Sequence, residues 1–405
     1  MKTTVTALKL VTIYKNVLKD DVISSFVDFI SLLTMCDNFD EILKGYSKFI
    51  AKLYEKEPFQ NLFMHLKNLI YTDENVISKG CSSCSFDNKY LIDTAKYELS
   101  LFDKLLEFDY SRIKNEFVSR FPAMSDLLTH LPIYKIDVKE NFDINAIINS
   151  YDYKGYGVFP CYNAFYFTKD KEIVPVENFD DIRLSDLKNY EYQKSVIVNN
   201  TKSFLDCRQA NNILLYGDRG CGKSSTVKAL INEFSRSNLK IVQVCKESFI
   251  YLSELFEILR NQPANFIIFA DDISFDENDK DFSSIKAALE GSLTSKPQNV
   301  VIYATTNRMH LVKETFSSRE GNDVHYNDTI DEMSSLADRF GIMLTFSLLT
   351  KKEYLDIVEQ IAIDCCVEVN DTLYKEAEAF AALKSIRTPR VARQFIVDFI
   401  AKHKL

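Results

Sequence analysis

The chain has 405 residues, 46% of them hydrophobic and 26% charged, and a formal net charge of −9. This length exceeds one ordinary core and predicts two or three domains of a globular protein, while the acid excess argues against a protein that coats nucleic acid, because phosphate binding wants a basic face. Nine cysteines lack framework spacing, the opening residues do not read as a secretory leader, and the longest early apolar run, Phe29 to Cys36, is too short for a bilayer, so the expectation is reduced thiols in a cytoplasmic protein with no membrane span.

Residues 1–135 read as a helical N-terminal domain. The run "DDVISSFVDFISLLTM" places Val22, Phe26, Phe29, Ile30 and Leu33 at helix-face spacing, and "TAKYELSLFDKLLEF" does the same with Leu99, Phe102, Leu105 and Leu106. Cys81 and Cys84 form a lone C-x-x-C in this region. Zinc needs two further ligands that no second C-x-x-C or close His pair supplies, so a loop with incidental thiols is the expectation. Residues 136–185 read as a connector containing a β-hairpin near Val158 to Val176, where aromatic and β-branched residues flank a Lys-Asp-Lys turn. The stretch "DIRLSDLKNYEYQKSVIVNNTKSFL" that follows reads as helical.

From Asn211 onward, short apolar runs alternate with helical patterns. Strands are expected at Ile213–Tyr216, Ile241–Val244, Phe266–Ala270, Val300–Ala304 and Ile342–Phe346. Helices are expected at Ser224–Phe234, Tyr251–Asn261 and Phe282–Leu293. Strands this short and this rich in Ile, Val and Phe fit a parallel sheet covered on both faces, an α/β class. After about Thr350 only helices follow, so a small helical C-terminal domain is expected.

Three of the chain's 10 glycines fall between Gly217 and Gly222, within "GDRGCGKSS". This is G-x-x-x-x-G-K-[ST], placed after a strand and before a helix, the context a phosphate-binding loop requires. Such a loop, here Gly217, Asp218, Arg219, Gly220, Cys221 and Gly222, turns backbone N–H groups inward, and the glycines leave that approach open where side chains would block it. The helix N-terminus adds partial positive charge. Lys223 reaches β- and γ-phosphates, the Ser224 hydroxyl ligates Mg²⁺, and the Ser225 N–H faces phosphate.

The remaining parts lie downstream. "NFIIFADDIS" ends a strand in Asp271, suited to hold Mg²⁺ through water, and Asp272, suited to orient an attacking water. "VVIYATTNR" ends in Asn307, an amide able to bond both a water and the γ-phosphate. Arg339 in "SSLADRFG" stands near a helix C-terminus, where it stabilises the helix by itself or reaches a phosphate held by a neighbouring subunit. In "SIRTPRVARQF", Thr388 reads as an N-cap and Pro389 as the first turn. Arg390 then sits where the helix dipole repels a cation, which suggests an anionic partner, with Arg393 one turn on.

In this order the motifs resemble the AAA+ superfamily of P-loop ATPases, and within it an uncharacterised bacterial family of ATP-binding proteins with similar runs. The likeness is strong over roughly residues 185–400. It implies a P-loop NTPase core at 186–349 with sheet order 5-1-4-3-2, and a helical lid at 350–405. Gly217 to Ser224 would be the Walker A loop, Asp271 the Walker B magnesium residue, Asn307 sensor 1, Arg339 an arginine finger acting in trans, and Arg390 sensor 2. The family pattern has Asp-Glu where this chain has Asp271-Asp272, one methylene shorter, with Glu277 as a substitute a few residues on. The implied activity is Mg²⁺-dependent ATP hydrolysis in a homo-oligomer, coupling core–lid motion to remodelling of an unidentified protein client. The alternatives are a nucleotide-gated protein-interaction module with little or no hydrolysis and a DNA-associated loader. A small-molecule P-loop kinase is a further rival, which would place the magnesium strand beside the phosphate-loop strand.

Overall fold

A computed structural model describes residues 2–57, 59–81, 88–137, 141–273, 296–307 and 340–403. The expected helix at 282–293, Cys84, Glu277 and Arg339 lie outside the described residues. The chain divides into two compact units, residues 1–161 with 261–263, and residues 162–260 with 264–405. Residues 136–185 fall partly in each.

The first unit is helical among its described residues. In the helix Asp21–Met35, the five residues of the expected stripe are all buried, and the Asp20 side chain caps the helix by accepting from the Val22 and Ile23 N–H groups. Leu99, Phe102, Leu105 and Leu106 are likewise buried on Lys89–Leu106. The core is a set of interlocked rings. Phe26 lies 4.6 Å from Phe49, Phe29 lies 5.2 Å from Tyr46, and Tyr134 stands edge-on to Phe49 at 5.3 Å. Such offset and edge contacts suit the ring quadrupole. A fully buried carboxylate, Glu98, is satisfied by the chain segment before it, accepting from the Thr12 N–H at 2.7 Å and the Tyr14 N–H at 3.0 Å. Cys81 is buried and its thiol is pushed up to about 11, chiefly by that burial. No group of three His, Cys, Asp or Glu among the described residues could hold a metal ion.

Among the described residues, the second unit is built on a seven-stranded sheet: β1 Ala164–Phe167, β2 Ile173–Pro175, β3 Ile213–Gly217, β4 Leu239–Val244, β5 Asn265–Ala270, β6 Val300–Thr306 and β7 Ile342–Phe346, in the order β2-β1-β4-β5-β6-β3-β7. The last five in this order are mutually parallel. Counting from the phosphate-loop strand, they run 5-1-4-3-2, as expected. The β1–β2 hairpin is antiparallel within itself and prolongs the sheet, because β1 pairs in parallel with β4. β6 stands between β3 and β5, which disfavours the kinase reading. All seven residues of β6 are buried, since both faces are covered and there is no solvent side to impose alternation.

The helical reading of residues 181–205 is corrected in its first half. Only Glu191–Leu205 is an α-helix, and before it a short 3₁₀ turn at Leu184–Asp186 leads into Asn189 and Tyr190, both at positive φ. Two successive left-handed residues cannot continue a right-handed helix. The turn is held instead by Lys194, whose ammonium donates to the Leu187 carbonyl at 2.7 Å, and by Tyr190, whose hydroxyl donates to the Ser347 carbonyl at 2.6 Å. After β7 come helices Lys351–Asp364, Asp371–Lys384 and Pro389–His403. Thr350 and Glu353 form a capping box on the first, and Thr388 Oγ1 accepts from the Val391 N–H on the last at 3.3 Å.

Candidate functional site

The parallel register brings the C-terminal ends of β3, β5 and β6 to one edge of the sheet, where Tyr216 is level with Thr306 and Ala270 with Ala304. Ligands of open α/β sheets bind outside these ends. β3 hands over at Gly217 to a loop that opens the helix Lys223–Glu233. Gly217 has φ +137°, and a Cβ there would stand 2.1 Å from the Phe346 carbonyl oxygen on β7. Gly222, at φ +92°, makes the left-handed turn into the helix.

Lys223 is buried at the helix start. Its ammonium donates to the Gly217 carbonyl at 2.6 Å, to the Asp218 carbonyl at 2.8 Å and to Asn307 Oδ1 at 3.0 Å. Burial lowers its pKa, against the opposing fields of Cys221 and of the carboxylates Asp272, Asp218 and Asp271. The Ser224 hydroxyl donates to Asp271 Oδ1 at 2.5 Å. Asn307 Nδ2 donates to Asp272 Oδ1, and the exposed Arg219 guanidinium lies 3.9 Å from Asp272 Oδ2. Asp272 sits at φ 50°. A chain of contacts therefore runs from Lys223 through Asn307 and Asp272 to Arg219.

These groups face one cavity of about 650 Å³, lined also by Gly220, Ser225, Arg390 and Arg393. The Arg390 N–H donates to the Gly220 carbonyl at 3.3 Å, tying the last helix to the loop. The lining also includes apolar residues, Ile182, Leu187, Ile357, Ile361 and Pro389. Of the site residues expected from sequence that fall within the described residues, all but Gly217 and Asp218 line this cavity, and those two are tied to it through carbonyls that accept from Lys223. Cys221 differs in orientation from the others: it is 1% exposed and belongs to the apolar core, and burial raises its thiol.

Sequence reasoning missed two contributors. The apolar lining is drawn from the 181–190 turn, the helix Lys351–Asp364 and Pro389, far apart in sequence. Thr305 bonds to Asp271, and its only sequence signal is a hydroxyl at the tip of an aliphatic strand.

Ser224 and Asp271 present a hydroxyl and a carboxylate within bonding distance of each other. Hard oxygen donors of this kind suit Mg²⁺, which keeps several waters and shares substrate phosphates rather than needing an all-protein cage. The residues present fit that ion.

A family described as "Protein of unknown function (DUF815)" matches residues 161–403. Among solved structures, a single-residue variant of Thermotoga maritima RuvB is 20% identical with TM-score 0.39, covering 55% of this chain and 66% of its own. The Thermotoga maritima RuvB Holliday junction branch migration motor is 16% identical with TM-score 0.33, at 53% and 71% coverage. The Aeropyrum pernix ORC1 protein in complex with DNA is 16% identical with TM-score 0.38, at 54% and 62%. The chain spans about two thirds of the length of these structures. No curated protein matches it. Likenesses of this size carry no argument about function, and the P-loop fold of AAA+ type rests on the strand order and phosphate loop of the chain itself.

Proposed function

The chain belongs to the DUF815 family, and from that premise we propose that it binds ATP with Mg²⁺ and hydrolyses it. The observation that carries this reading is the hydrogen-bonded chain Lys223–Asn307–Asp272, which joins the phosphate loop to the tip of β6 and the turn after β5. Lys223 and the loop N–H groups bind the β- and γ-phosphates. Asp272 orients a water and accepts its proton as the water attacks the γ-phosphorus and the bond from that phosphorus to the β–γ bridging oxygen breaks, releasing ADP and phosphate, and Asn307 holds that water against the γ-phosphate. Ser224 and Asp271 would hold Mg²⁺, which supplies neutralisation of phosphate charge when bound. Arg390 and Arg393, on the helix that contacts Gly220, read the phosphates from the lid. The apolar lining residues Ile182, Leu187, Ile357 and Ile361 offer contacts for the base.

Arg339 acts in trans in a homo-oligomer, and the helical N-terminal region, residues 1–135, meets a protein client in the cytoplasm that lid motion remodels. The domain bounds 136–185, 186–349 and 350–405 belong to the same proposal. The test is steady-state phosphate release by the purified full chain. Lys223→Ala abolishes turnover, Arg339→Ala loses it, and mixing the two variants restores part. Steady hydrolysis by Lys223→Ala would overturn the ATPase reading, and absence of rescue would favour a monomeric mechanism.

One observation favours a second reading, a nucleotide-gated interaction module with slow hydrolysis. The Asp272 carboxylate is engaged on both oxygens, by Asn307 and by Arg219. Single-turnover kinetics separate the two readings. A DNA-associated loader is disfavoured by the net charge of −9, and DNA-stimulated turnover would revive it.

A further inference from the structure

Thr305 is the penultimate residue of β6 and is 1% exposed. A hydroxyl buried at that depth needs partners, and it has two. It donates to Asp271 Oδ1 at 2.7 Å and accepts from the Asp272 backbone N–H at 2.8 Å. Its carbonyl accepts from the Ile273 N–H at 2.8 Å. One residue thus grips three consecutive residues just beyond Ala270, where β5 ends. Asp272 holds a left-handed φ of 50° there, a conformation a non-glycine residue keeps only where its surroundings over-determine it.

We infer that Thr305 is a positioning residue for the Asp271–Asp272 pair. Its hydroxyl aims the Asp271 carboxylate and locks the bent backbone that turns Asp272 towards Asn307. Ser224 donates to the same Asp271 oxygen, but Ser224 belongs to the phosphate loop and is assigned to the metal. Thr305 is therefore the sheet-borne donor that fixes the Asp271 carboxylate whatever Ser224 bonds to. The backbone bend also bears on the short Asp272 side chain: with one methylene fewer than glutamate, its reach depends on how the main chain presents it. The inference rests on the ATP-hydrolysis reading and adds a residue that acts through the two acids.

Thr305→Val keeps the branched shape and removes the hydroxyl, while Thr305→Ser keeps the hydroxyl and removes the methyl. In the full chain, Thr305→Val lowers kcat by about 10- to 100-fold, as loss of a partner that orients a metal ligand does, with KM for ATP within about threefold of wild type. The Mg²⁺ concentration for half-maximal turnover rises. Amide hydrogen exchange across residues 271–273 accelerates in the same variant, a readout that needs neither nucleotide nor turnover. Thr305→Ser restores kcat to within about threefold and restores exchange protection. Wild-type kcat and exchange in Thr305→Val would overturn the assignment, as would equal impairment of the valine and serine variants, which would mean that packing of the methyl matters instead. Should Thr305→Val not fold, Thr305→Ser must retain kcat and Thr305→Ala must lose it with KM unchanged; serine as impaired as alanine is the overturning result. A wild-type chain without ATPase activity defeats the broader reading, and the exchange measurement then decides the Thr305 assignment by itself.

Discussion

The Lys223 ammonium donates to the Asn307 side-chain oxygen at 3.0 Å across 84 residues of sequence. This bond makes the phosphate loop and the tip of β6 one unit, so a group that engages Lys223 also alters what Asn307 holds. Asn307 passes the connection to Asp272 through its amide nitrogen.

Asp272→Asn tests the end of that connection. Asparagine keeps an oxygen to accept from Asn307 and removes the charge that faces Arg219. ATP affinity by calorimetry stays within about threefold, while single-turnover hydrolysis falls by roughly 10²- to 10⁴-fold, the size of a lost general base. Turnover at the wild-type rate would move the base to another residue, with Glu277 the next acid to test.

Lys223→Met separates binding from stability. Burial holds the Lys223 pKa below the ordinary 10.5. Between that lowered value and 10.5 the folded chain binds fewer protons than the unfolded chain, so wild-type stability rises with pH across this window. The methionine variant lacks this term. The stability of wild type minus that of Lys223→Met therefore grows as pH rises through the window in urea unfolding, and ATP binding is absent at every pH. A difference flat with pH would contradict the burial of a charged ammonium.

Gly217→Ala is expected to destabilise the second unit by roughly 2–4 kcal/mol, combining backbone strain at positive φ with overpacking. Its Cβ would collide with main chain on β7, at Phe346, and not with a side chain that could turn aside. Chemical denaturation measures the loss. An unchanged midpoint would mean that β3 and β7 separate more readily than their pairing suggests.

In the first unit, Asp20 accepts from the Val22 N–H at 2.9 Å and lies 2.9 Å from His65 Nε2 and 3.1 Å from the Lys56 ammonium. Burial alone would raise its pKa, but the bonds from His65, the Ile23 N–H and Lys56 outweigh it and hold the carboxyl well below the usual 3.8. Its stabilisation is complete above the unfolded value and is lost as pH falls through the lower folded value. Asp20→Asn is therefore less stable than wild type near neutrality, and the gap narrows below about pH 4. Acid titration of thermal unfolding followed by circular dichroism checks this, and a gap constant from pH 7 to 2 would refute it.

Interactions between chain neighbours were readable in advance. The helix stripe from Val22 to Leu33, the hairpin of β1 and β2, the Thr388 cap and the spacing from Gly217 to Ser224 all depend on residues a few positions apart, where local geometry leaves little choice. The strand order 5-1-4-3-2 came from the resemblance that the motifs carry as a set, not from any one of them.

Beyond the site partners that the motif set implies, contacts between distant segments were not readable. Thr305 meets Asp271 and Asp272 only because β6 lies beside β5, and no pattern within "YATTNR" distinguishes a hydroxyl that grips two acids from one that ends a strand. Likewise the left-handed turn at Asn189 and Tyr190 is held by Ser347, 157 residues from Tyr190, while the local sequence favours a helix. That β1 continues the sheet alongside β4 is also a matter of strand pairing. The sequence by itself determined the spacing of the Gly217–Ser224 loop and where most strands and helices would form, the 181–190 turn excepted. Only the tertiary structure decided which side chains complete one another at the sheet edge, because those partners are chosen by packing across the sheet and not by position along the chain.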